Sequence, residues 1–144
     1  MYELVKNNDI EDITKRVLAL INGVSQIMNS GKELEETRME LARLMVVVGE
    51  FEARAEYEQN SLDVQRKVQE AQAFANAKRT VGKISIAEAN NYAEIEVSEI
   101  KKKIVEAQYM YRQLRNLREA IVETNNAIAM RVRTLEREFQ DTRS

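Results

Sequence analysis

The chain of 144 residues has no cysteine, histidine, proline or tryptophan, and only four glycines. Without cysteine there are no disulfides and no thiolate metal sites. Without histidine there is no imidazole for acid–base catalysis or metal binding. The absence of proline removes the strongest helix breaker. No pair of glycines has the spacing of a phosphate-cradling or dinucleotide-binding loop. Paired helical glutamates of the di-iron type carry a histidine three positions on, which this chain cannot supply. The longest uncharged apolar run, L-M-V-V-V-G at 44–49, is far short of a bilayer span. The first residues lack the basic-then-apolar pattern of a signal peptide, so the sequence predicts a cytoplasmic protein with no catalytic centre, cofactor or metal.

What is present is charge and helix formers. Charged residues make up 32% of the chain, with Ala, Glu, Arg and Gln throughout, the composition of long helices and coiled coils. The net charge of −2 hides an asymmetry. Residues 1–77 hold 9 basic and 14 acidic groups, residues 78–118 hold 9 and 5, and residues 119–144 hold 4 and 5.

Periodicity divides the chain. Asn8 or Asp9 can cap a first helix, in which Ile10, Ile13, Val17, Leu20, Ile21, Val24 and Ile27 recur at three- and four-residue steps. N-S-G at 29–31 predicts its end, with Gly31 left-handed at the C-terminus. A second helix over 32–79 places Leu34, Leu41, Val48, Ala55 and Leu62 at sevenfold spacing, with Leu44 and Phe51 between them. Past residue 56 the apolar positions change phase. Tyr57, Val64, Ala71 and Lys78 share one register there, and Val68 and Ala75 the other, which predicts a bend or a change of partner.

T-V-G-K then reads as a turn over 80–84. Beyond it, Ser85 and Glu88 form a capping box, with Ile84 and Ala89 as its hydrophobic staple. A third helix over 86–140 carries Ile86, Ala93, Ile100, Ala107, Leu114, Ile121, Ile128 and Leu135 at intervals of seven. Val97, Ile104, Tyr111, Val132 and Phe139 hold the complementary register, with Asn90, Arg118 and Asn125 as its polar members. Polar residues in such a seam set register or partner number, so Arg118 and Asn125 are the candidates for specifying the oligomer. The expected fold is all-α, with a short N-terminal helix followed by a long antiparallel helical hairpin of coiled-coil type that self-associates.

Two basic groups carry the candidate chemistry. Lys78, Arg79 and Lys83 surround the turn, while Lys101, Lys102, Lys103, Arg112 and Arg115 follow along the third helix. Ordinary solubilising charges paired with Glu99, Glu106 and Glu119 would give the same composition. Clustered cations are also what phosphate contact needs. Phe74, Tyr92 and Tyr109 lie close enough in sequence to offer rings for base stacking on a single strand. Tyr111 falls in the seam register and reads as core.

The stretches A-x-A-K-R at 75–79, S-x-x-E-A at 85–89, Y-x-Y-R-x-L at 109–114 and R-x-R-x-L-E-R-E-F at 131–139 resemble small helical proteins from the recombination and replication regions of tailed phages. Over residues 71–139 the plan is similar to that of the UvsY-type recombination mediators. The resemblance implies a non-enzymatic oligomer in the host cytoplasm that binds single-stranded DNA and helps load a recombinase or another replication protein. On it, Lys78, Arg79 and Lys83 would be DNA contacts. The slightly acidic total departs from that pattern and leaves the acidic first half for a protein partner. The competing expectation is a structural or inhibitory coiled-coil protein, such as a virion scaffold or host-protein inhibitor, acting through protein contacts alone.

Overall fold

The computed structural model describes residues 7–80 and 84–143. All its regular structure is helical: α1 (Asn7–Gly23), a 3-10 turn (Val24–Gln26), α2 (Gly31–Thr80), α3 (Ile86–Glu96) and α4 (Ser98–Arg143). No strand occurs among the described residues, and no helix among them is long and apolar enough to cross a membrane. Helix α1 starts at Asn7, ahead of the predicted cap. The predicted end at 29–31 is corrected. The α-helix stops at Gly23, and Gly31 is the first residue of α2, without the positive φ that a left-handed cap requires. Ser30 is the cap instead, its Oγ accepting the Glu33 N–H at 3.3 Å.

The chain divides into two compact units, Met1–Glu52 with Gln113–Ser144, and Ala53–Arg112. The first unit is built on large aliphatics. Val17 from α1, Leu34, Leu41, Leu44, Val48 and Phe51 from α2, and Leu114, Leu117, Ile121 and Ile128 from α4 are all buried. Polar bonds fix its register. Arg131 donates to the Met28 carbonyl (2.7 Å) and to Asn29 Oδ1 (2.9 Å), Asn125 Nδ2 donates to the Arg38 carbonyl (3.4 Å), and Arg118 grips Glu52 (2.6 and 3.2 Å). Partner numbers rise along one segment as they fall along the other, so within this unit α4 runs antiparallel to the start of α2. An ion pair between Arg16 and Glu40 ties α1 to α2.

The second unit has a thinner interior. Its buried side chains are Ala55, Ala89, Ala93 and Ala107 with Ile84, Val97 and Ile100. An alanine removes a single methyl from water, roughly 0.8 kcal/mol, against about 1.5–3 kcal/mol for a large aliphatic, so each turn here is held more weakly than in the first unit. Ser85 caps α3 in extended geometry (φ −72°, ψ 159°) and accepts the Glu88 N–H at 3.1 Å, as the capping-box spacing predicts. The staple residues Ile84 and Ala89 are both buried.

Two expectations from the heptads are corrected. The row from Ile86 to Leu135 does not lie on one unbroken helix, because Val97 (φ −96°, ψ 6°) separates α3 from α4. Its N–H still reaches the Ala93 carbonyl at 3.2 Å, and its own carbonyl accepts from Lys101 at 2.9 Å, so the distortion is confined to one residue. No proline or glycine is near. Val97 itself is fully buried. The buried part of the row is also shorter than the repeat, running from Ala93 to Ile128, while Ile86 is exposed and Leu135 half-buried. On α2 the phase change brings no bend long enough to interrupt the helix. Beyond residue 58 the half-buried face runs through Gln59, Leu62, Arg66, Ala73 and Ala77, mostly one position on from the earlier rows, whose own continuation at Gln65, Gln69, Gln72 and Asn76 is exposed, while the phase-shifted Tyr57, Val64 and Val68 face solvent.

Candidate nucleic-acid interface

The basic residues near the end of α2 are not equivalent. Lys78 is half-buried, donates to the Ile84 carbonyl at 3.4 Å, and lies 6.0 Å from the centre of the Phe74 ring. This ammonium ties the end of α2 to the residue before the Ser85 cap, and the cation–π contact occupies one face of Phe74. Both residues therefore hold the end of α2 in place. Arg79 is exposed and forms no ion pair among the described residues. Lys83, with the turn residues 81–83, lies outside the described residues.

Tyr92 is half-exposed on α3 and, with the Glu96 carboxylate, lines a groove of about 570 Å³ together with Gln69, Gln72, Asn76 and Thr80 of α2. Carboxamides and a hydroxyl beside an aromatic ring can hydrogen-bond and stack against a planar polar ligand. Phe74 lines a separate groove with Lys67, Glu70 and Asn90. The two rings thus do not converge on one site.

The cations of α4 gather more closely. At about 100° per residue, Lys101, Lys102, Val105, Tyr109 and Arg112 fall within an arc of about 100° on the side away from the buried Ile100 and Ala107. All five are exposed, Tyr109 by 60% and Val105 by 63%. No carboxylate falls inside the arc between residues 101 and 112, though Glu106 lies about 40° beyond its Lys102 edge. Lys102 touches Glu99 at 3.4 Å, with both side chains more than 70% exposed, a contact worth little in water. Lys103 points off this arc, and Arg115 is engaged by Glu119 at 3.3 Å. Of the eight basic residues singled out from the sequence, Lys101, Lys102 and Arg112 share one exposed face with a tyrosine.

Arg118 and Asn125 both find partners within the chain. Glu52 is only 12% exposed and receives a bidentate guanidinium contact from Arg118. Asn125 donates to Arg38, while its buried Oδ1 has no hydrogen-bond partner. The register they fix is that of α2 against α4 in the first unit. Arg131, which closes the α1–α2 corner by capping two acceptors, was not legible as a site residue, because its partners lie more than a hundred positions away.

A displaced titration lies on α2. The guanidinium of Arg66, with help from Lys67, holds the Asp63 carboxyl below its ordinary value. Arg66 also reaches Glu70 at 2.7 Å, so this cation is spent on its own helix. No protein-family model, curated protein or solved structure matches the chain.

Proposed function

We propose that the protein is a non-enzymatic, phage-type DNA recombination or replication accessory protein. It folds its long helices into an antiparallel coiled-coil hairpin, self-assembles, and binds single-stranded DNA, as a recombination mediator does. The observation that carries this reading is the arc of α4, where Lys101, Lys102 and Arg112 flank an exposed Tyr109 with no carboxylate among them. Phosphates pair with the cations while a base stacks on the ring. Arg79 and the Tyr92 groove offer further contacts near the end of α2. A recombinase or another replication protein is the partner that the acidic residues 1–77 would meet.

The test is fluorescence anisotropy of a labelled oligo-dT at two salt concentrations. Changing Lys101, Lys102 and Arg112 together to Ala should weaken binding and flatten the log–log salt dependence by roughly 0.7 per phosphate contact removed. Tyr109→Ala should cost about 1–3 kcal/mol of affinity with the salt slope unchanged. Equal binding by parent and triple variant rejects the site. The alternative, a structural or inhibitory protein acting only through protein contacts, draws on the exposed Tyr57, Val64 and Val68, and predicts no oligonucleotide binding even at low salt.

A further inference from the structure

The outer face of α2 in the second unit carries an apolar stripe that is exposed among the described residues. Tyr57, Val64, Val68, Ala71 and Ala75 are all exposed, Tyr57 by 75%, Val64 by 61% and Val68 by 51%. At about 100° per residue they fall within an arc of about 60°, directly opposite the half-buried face of Leu62, Arg66, Ala73 and Ala77. Their spacing of seven, four, three and four is that of a two-helix seam. The stripe extends about 27 Å along the helix. It occupies the unit whose own interior is mostly alanine, where further burial has the most to add.

We infer that this stripe is a self-association seam, on which α2 of a second copy packs antiparallel. The inference rests on the self-assembly in the function proposed above and assigns it a surface. Charge selects the direction. A parallel, in-register pair would leave Glu58 and Arg79 at opposite ends of the seam, far from each other's opposite charge. The antiparallel register stacks Val64 on Ala75 and Val68 on Ala71. Glu58 beside the seam then meets Arg79 of the second copy, and the two-fold axis repeats that ion pair at the other end. Gln65 and Gln72, both exposed, face each other between them. Opposite charges thus meet in the antiparallel pair and stand apart in the parallel one. A seam this short lies at the low end of specific interfaces, so the dimer forms in a concentration-dependent equilibrium.

The absence of cysteine makes the test direct. Two single variants of the full chain, Val64→Cys and Ala75→Cys, are oxidised separately and as an equimolar mixture. The antiparallel seam predicts a disulfide-linked dimer in the mixture containing one of each chain, and little from either alone. Homodimers from each variant alone would instead indicate parallel pairing and overturn the proposal. Sedimentation over the micromolar range gives the second readout. Val64→Asp with Val68→Glu should raise the midpoint of association by at least about tenfold, because carboxylates would be buried without partners. These sites are exposed in the single chain, so helicity by circular dichroism should be unchanged. Glu58→Arg should weaken association, and adding Arg79→Glu should restore it. An unchanged midpoint in the Val64/Val68 variant overturns the seam whatever the oligonucleotide result. Loss of oligonucleotide binding in the α4 triple variant with association intact leaves it standing.

Discussion

The contact between Arg118 and Glu52 gives the sharpest energetic prediction. Glu52 is 12% exposed and Arg118 39%, and two bonds of 2.6 and 3.2 Å join them. Arg118→Ala leaves a nearly buried carboxylate without its counter-ion, a change that costs about 3–5 kcal/mol in a dry interior. Water reaching the site past the partly exposed arginine lowers this to about 2–3 kcal/mol. With a urea slope of about 1–3 kcal/mol/M, the midpoint should fall by about 1 M. The assay is urea unfolding followed by circular dichroism, at fixed protein concentration because the proposed association would add to apparent stability. Removing both charges separates the pair's net contribution from the harm of orphaning one partner. Glu52→Leu with Arg118→Met should return to within about 1 kcal/mol of the parent, since an apolar pair avoids the desolvation cost. A loss below about 0.5 kcal/mol in Arg118→Ala, or a double variant as unstable as the single, would refute this reasoning.

Ser85→Ala should destabilise by about 1 kcal/mol through loss of the cap on the Glu88 N–H, and Ser85→Asp should restore it, read by thermal melts. Truncating the fully buried Leu34 or Ile121 to Ala should cost about 2–5 kcal/mol by urea unfolding. Val64→Ala, at a site exposed in the single chain, should change monomer stability by less than about 0.5 kcal/mol. Asp63, held below its usual carboxylate range first by the Arg66 hydrogen bond and then by Lys67, contributes stability above its unfolded value of about 3.9. That contribution disappears as pH falls through the lower folded value. Parent and Asp63→Asn should therefore differ near neutrality and converge in acid, and a constant difference across pH would contradict the sign.

Much was legible because it is local. Ser85 with Glu88 announces a cap by spacing alone, and the geometry of α3's first turn follows. Leu34, Leu41, Val48, Ile121 and Ile128 announce burial because seven residues return a helix to nearly the same face. The sequence marked Lys101, Lys102, Arg112 and Tyr109 as candidates on one helix, and the structure leaves all four exposed. The S-x-x-E spacing at Ser30 and Glu33 was equally readable and was overshadowed by Gly31.

The sequence by itself determined that the chain is helical, where α2 and α3 begin, and which row of α4 turns inward, since these follow from bonds and side-chain positions a few residues apart. Only the tertiary structure decided that Lys78 bonds the Ile84 carbonyl instead of facing outward, that Arg118 and Asn125 are spoken for by Glu52 and Arg38, and that Val97 divides the last helix. It also decided that Tyr57, Val64 and Val68 face solvent. A helix can offer two apolar faces, and periodicity marks both alike. Which one is covered depends on segments distant in sequence, whose approach no local pattern encodes.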